Sequence, residues 1–173
     1  MSFRSETPDN NYAQAHVGEV TETIEKAVSI VSERNYHCSF YSQVNEDEDF
    51  NSKFSNALGV AYLPNNIVNF DYKEYFVDFG VVISNRLHVL LPAMGCGIIP
   101  IALISRDHKK IESLFIAQGW EEYIVYTDEI NRLSDLLCDI ESNFSHHKAE
   151  LYNSLLEAQR HAQRHIKLIA ELK

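Results

Sequence analysis

Val81-Val82-Ile83-Ser84-Asn85-Arg86-Leu87-His88 is the stretch on which the reading of this chain turns. An apolar, strand-forming run stops abruptly at a hydroxyl, an amide, a guanidinium and an imidazole. An uncharged, helix-compatible stretch then follows from Leu87 to Met94. Short apolar runs bounded by polar residues mark buried strands. In an open α/β sheet the carboxyl ends of the strands are where ligands bind. Arginine presents a planar fork to phosphate or carboxylate, and histidine carries a proton near neutral pH. Arg86 and His88 therefore point to an anionic ligand held beside an acid or base.

Strand and helix patterns alternate on both sides of this stretch. Met1–Arg4 is a short candidate strand, and the stripe Val17, Val20, Ile24, Val28, Val31 predicts a helix over about Tyr12–Arg34. His37–Gln43 reads as a strand, Phe50–Leu58 as a helix and Gly59–Leu63 as a strand. Asp71–Phe79 reads as a short helix whose Asp71 and Glu74 resemble a capping box. Beyond the Val81–Ser84 strand and its helix, Ile98–Ile104 is so apolar that both faces of that strand must be covered. Asp107–Gln118 is helical, Tyr123–Tyr126 a strand and Asp128–Asn143 helical. Leu151, Leu155, Ala158, Ala162, Ile166 and Ile169 give the tail from about Ser145 the spacing of a further amphipathic helix.

This alternation predicts an α/β fold, doubly wound, with a mostly parallel six-stranded sheet and helices on both faces. Residues 1–143 form the Rossmann-like lobe, and residues 144–173 a C-terminal amphipathic helix that packs on it or on another lobe. In the common order 3-2-1-4-5-6 the topological switch falls between the first and fourth strands. That order places Arg4 and Ser5 beside Ser84, Asn85 and Arg86. The N-terminus of the following helix, which also favours anions, lies in the same place.

Composition narrows the partners. The 173 residues, 45% hydrophobic and 23% charged, fit one soluble domain with a real core. A formal net charge of -10 argues against a nucleic-acid surface. It also makes an arginine at a strand end more notable. Cys38, Cys96 and Cys138 are odd in number and widely spaced, which fits reduced cytoplasmic thiols. The polar opening Met1–Asn11 is no signal peptide. Pro92, Gly95, Gly97 and Pro100 break the uncharged stretch after His88 into helix, turn and strand, so no integral membrane segment is expected.

Other patterns carry less. His161 and His165 stand four residues apart on a helix, but a polar helical face accounts for them, and no metal is expected. Asn45, Asp47 and Asp49 alternate like the start of a calcium loop. Phe50 and Asn56 stand where its glycine and closing glutamate belong, so the run reads as a solvated loop. Ser84 and Asn85 read as caps of the following helix. Lys109 and Lys110 read as an exposed first helical turn.

Ser84-x-Arg86-Leu87-His88, then Gly95, Gly97 and Pro100 before an apolar strand, then Lys110-Ile111-Glu112-Ser113, resembles the polysaccharide pyruvyl transferase family. Ser2-Phe3-Arg4 also looks like the strand that opens that family's C-terminal lobe, and the resemblance runs from about Met1 to Tyr126. Family members have two Rossmann-like lobes in a glycosyltransferase-B-like arrangement. They transfer the pyruvyl unit of phosphoenolpyruvate onto two sugar hydroxyls as a ketal.

The resemblance implies that Arg86, His88 and Arg4 belong to a phosphoenolpyruvate site, with Ser84, Asn85, Leu87 and Lys110 (or its neighbour Lys109) as further substrate-binding positions. It implies phosphoenolpyruvate as donor substrate, without a separate cofactor, and a sugar or glycan acceptor. This chain would be one lobe, completed by an N-terminal lobe or partner chain, acting in the cytoplasm on surface polysaccharide precursors. The chemistry of the residues fits. Two guanidinium groups suit the phosphate and carboxylate of phosphoenolpyruvate, and a histidine suits protonation of its methylene carbon. Two alternatives remain: a nucleotide-sugar-binding glycosyltransferase lobe, in which Glu129 would meet the ribose hydroxyls, and a non-catalytic interaction domain docking through the long C-terminal helix.

Overall fold

Five parallel strands and six α-helices build the described part of the α/β body in the computed structural model, which covers residues 1–3, 13–42, 47–64 and 76–171, side chains of 13–19 and 165–171 excepted. In chain order these are α1 (Ala13–Glu33), β1 (Ser39–Tyr41), α2 (Glu48–Leu58), β2 (Ala61–Leu63), β3 (Val81–Ser84) and α3 (Leu87–Gly95). They continue with β4 (Ile99–Ile104), α4 (Lys109–Ala117), β5 (Ile124–Tyr126), α5 (Arg132–Ser142) and α6 (Phe144–Glu171).

The strands form two sheets: β1 pairs with β2, and β4 lies between β3 and β5. All three pairings are parallel, with Ser39 opposite Ala61, Val81 opposite Ile99 and Ala102 opposite Ile124. Parallel neighbours need crossovers, and the helices supply them on both sides of the strands. Every residue of β4 is buried, as its unbroken apolar sequence requires. Each large aliphatic side chain removed from water there contributes roughly 1.5–3 kcal/mol, which makes β4 the centre of the core.

Residues 1–3 sit between the two sheets. The Tyr41 N–H donates to the Met1 carbonyl at 2.9 Å, and the Ser2 N–H donates to the Ile83 carbonyl at 3.2 Å. Ser2 thereby forms a single parallel bridge with Ser84. The expected continuous six-stranded sheet is therefore corrected to sheets of two and three strands joined through this bridge. The physical reason lies at Phe3. Its N–H and C=O are taken by the side chain of Asn51 rather than by a neighbouring strand, so the ladder stops after one residue.

Local sequence explains the remaining boundaries. Gly59 closes α2 at φ 65°, a left-handed conformation that glycine adopts without strain, and turns the chain toward β2. Pro92 lies inside α3, where it has no N–H to give the carbonyl four residues back, yet the helix continues to Gly95. Residues 71–75 of the expected helix Asp71–Phe79 lie outside the described residues, and a turn spans 76–79.

The first half of α6 is anchored. Leu151 is buried, the Trp120 Nε1–H donates to Ser154 at 2.8 Å, and the Tyr123 hydroxyl meets His147 Nδ1 at 2.8 Å. Burial is the main cause that pushes the Tyr123 hydroxyl far above the usual tyrosine range, so it stays protonated. Farther along, residues 159–164 are all exposed. Among the described residues no helix is long and apolar enough to cross a membrane.

Candidate functional site

Because the strands are parallel, their carboxyl ends share one edge. Phe3, Ser42 after β1 and Ser84 at the end of β3 meet there, and a buried polar layer joins them. Ser84, fully buried, donates its hydroxyl to the Ser2 carbonyl at 2.5 Å and accepts the Arg86 N–H at 3.0 Å. One side chain thus ties two strand ends and sets the turn into α3. The residue at the helix cap is Arg86 itself, and no side chain caps it. The reading of Ser84 and Asn85 as caps is corrected in that respect, since Ser84 acts on the turn before the helix. Asn85 is half-buried.

Asn51, fully buried on α2, is the hub of this layer. Its Oδ1 accepts the Phe3 N–H at 2.9 Å, while its Nδ2 donates to the carbonyls of Phe3 and Asp47, each at 2.9 Å. Nδ2 also approaches Ser42 Oγ at 3.2 Å. Ser42 donates to the Asp47 carbonyl at 3.1 Å and accepts from the Tyr62 hydroxyl at 3.3 Å. Burial raises the Tyr62 hydroxyl above its ordinary range, which keeps it a donor.

Asp47 overturns one expectation. The run containing it reads as a solvated loop, yet Asp47 is only 3% exposed. The reason is a cation: Arg86 Nε lies 2.5 Å from Asp47 Oδ2, with the two side chains 14% and 4% exposed. A carboxylate leaves water at this depth only when a charge partner and hydrogen bonds accompany it. Asn45 and Gln43 lie outside the described residues, while Asp49 is exposed, as a solvated run requires.

The other expected site residues separate into two groups. His88 stands exposed on the first turn of α3, two residues beyond Arg86, and Leu87 between them packs half-buried against the core. Arg86, Leu87 and His88 thus open one helix whose N-terminus favours an anion. Arg4 lies outside the described residues; Phe3, just before it, is held by Asn51. Lys110 is exposed on the first turn of α4, and its neighbour Lys109 pairs with Glu112 at 2.8 Å.

Beyond β4 and β5 the same edge carries a second polar group. Arg106 lies 4.3 Å over the Tyr126 ring and is held by Asp128, at 2.7 Å, and by Glu129. The Tyr126 hydroxyl donates to Glu112 at 2.7 Å. Lys109, with Tyr126, holds the Glu112 carboxyl below the usual carboxylate range.

A cavity of about 460 Å³ opens at the opposite, amino-terminal edge, among Val31, Phe76, Phe79, Val81, Ile140 and Phe144. Its volume suits a small molecule, but among the described residues its lining includes no arginine or lysine to fix an anion. Among the described residues no group of three or more His, Cys, Asp or Glu side chains is placed to hold a metal ion.

The residues missed from sequence are Ser42, Asp47 and Asn51. One signal was present: Asp47, Asn51 and Ser55 recur every four residues, a polar stripe on a helix that also carries Phe50 and Phe54. Such a stripe beside aromatics marks a helix face turned onto polar backbone as well as onto core. Comparison of the chain with protein-family models, with curated proteins and with solved structures finds no match.

Proposed function

We propose that this chain is the phosphoenolpyruvate-binding lobe of a pyruvyl transferase acting on a sugar or glycan in the cytoplasm. The observation that carries the reading is Arg86, a largely buried guanidinium at the carboxyl end of β3, with His88 two residues on at the mouth of α3. Phosphoenolpyruvate brings a phosphate and a carboxylate. Arg86 and Arg4 hold these anions, helped by the N–H groups that open α3. Ser84, Asn85 and Leu87 shape the wall, and Lys110 closes the anion site from α4.

In the reaction His88 gives a proton to the methylene carbon, and the first sugar hydroxyl adds at the central carbon and returns its proton to His88. The carbon–oxygen bond to phosphate then breaks. The second hydroxyl closes the ketal, and its proton leaves with phosphate. General acid catalysis of this kind contributes about 10²–10⁴-fold. The acceptor sugar is held with an N-terminal lobe or partner chain. Against the nucleotide-sugar alternative stands Glu129, whose carboxylate is engaged by Arg106 rather than presented to a ribose.

Calorimetric titration with phosphoenolpyruvate, with UDP-galactose as control, tests the reading. We expect saturable phosphoenolpyruvate binding that weakens about tenfold or more in Arg86→Lys, which keeps the charge and loses the fork. His88→Gln is expected to bind within a few-fold of the parent, because its role is proton transfer. Preference for UDP-galactose, or indifference to Arg86→Lys, would overturn the assignment.

A further inference from the structure

We infer that Asp47 is a positioning residue for the anion site: it fixes the guanidinium of Arg86 in the orientation that a ligand meets. This inference rests on the reading of the Arg86 site given above. Three observations support it. The ion pair is closest at Nε, 2.5 Å from Asp47 Oδ2, which places the carboxylate on the inner side of the guanidinium. Asp47 is itself held, since its carbonyl accepts from Asn51 at 2.9 Å and from Ser42 at 3.1 Å. The backbone of Arg86 is also fixed, by the hydroxyl of Ser84 at 3.0 Å.

An arginine side chain has several rotatable bonds, and ordering it at the moment of binding weakens a ligand. Here the order is built in before a ligand arrives. The same contact cancels the formal charge of the pair, because a carboxylate neutralises the cation that attracts the anion. Two opposed predictions follow. If Asp47 positions Arg86, removing its charge weakens anion binding; if Asp47 competes for Arg86, removing its charge tightens it. Positioning is favoured because a competing carboxylate must be able to withdraw into water, whereas the Asp47 side chain is only 4% exposed and its backbone is held by Ser42 and Asn51.

The experiment uses the full chain and the near-isosteric variant Asp47→Asn, in the parent and in the Arg86→Lys background. Phosphoenolpyruvate dissociation constants are measured by calorimetry, and solvent exchange of the Arg86 Nε–H by ¹⁵N NMR. The inference expects a protected Nε–H in the parent and faster exchange in Asp47→Asn. It expects phosphoenolpyruvate binding about tenfold weaker in Asp47→Asn, with little further loss when the same change is made in Arg86→Lys. Unchanged or tighter binding in Asp47→Asn would overturn it, as would an equal loss in both backgrounds. If the parent ignores phosphoenolpyruvate, the donor-site reading falls by itself. The Asp47 inference is then decided by exchange alone, and it fails if the Nε–H is as labile in the parent as in Asp47→Asn.

Discussion

Asn51→Ala is expected to destabilise the fold by about 3–5 kcal/mol, among the largest losses open to a single polar side chain here. The amide makes contacts with Phe3 N–H, Phe3 C=O, Asp47 C=O and Ser42 Oγ, all in a fully buried setting. Each ordinary hydrogen bond is worth only about 1 kcal/mol net, but each buried group left without a partner costs about 1–3 kcal/mol. Alanine leaves the Phe3 N–H and C=O facing an empty space, and residues 1–3 then lose their grip between the two sheets. Urea unfolding followed by circular dichroism measures the loss. A change below about 0.5 kcal/mol, the range of ordinary surface substitutions, would mean that the polar layer is not a structural hub.

The second large effect concerns the buried ion pair. Arg86→Met is expected to cost about 3–5 kcal/mol, because it strands the Asp47 carboxylate in a site from which water is nearly excluded. The double variant Arg86→Met/Asp47→Asn is expected to recover a large part of that loss, since well-packed neutral replacements of a buried pair are often near neutral. The two residues touch, so their effects should not add; a coupling of about 0.5–3 kcal/mol is the usual range for contacting residues. Unfolding of the parent, the two single variants and the double variant closes the cycle. Additive losses would place Asp47 and Arg86 in independent environments and contradict their contact.

Much of the architecture was legible because hydrophobic periodicity reports burial directly. Val81–Ser84 was read at its observed boundaries, and Ile98–Ile104 began only one residue early, since strands covered on both faces show unbroken apolar runs. The central helices were placed within a few residues because their stripes face the core. The union of the strands into one sheet was not legible. It depends on whether residues 1–3 pair along their length, and that is decided by a side chain, Asn51, distant in sequence. A ladder one residue long leaves no periodic signature.

The candidate site was half legible for a related reason. Arg86 and His88 stood out because charge at the end of an apolar strand is locally improbable. Asp47 did not, because it sits in an acidic run where every neighbour looks solvated, and its burial follows from its long-range partner. Polar residues are read as exposed unless the sequence also names the group that satisfies them, and a contact between positions 47 and 86 is invisible to any local window.

The proposed anion site lies at the carboxyl edge of the strands and is built on Arg86. ¹H–¹⁵N spectra of the chain titrated with phosphoenolpyruvate test it most directly. Shifts are expected to concentrate at the backbone N–H groups of Phe3 and of Ser84 through His88, and at the Asn51 side-chain amide, with the opposite edge unmoved. Shifts gathered instead around Val31, Phe76 and Ile140, the walls of the apolar cavity, would contradict it, as would a spectrum that does not change.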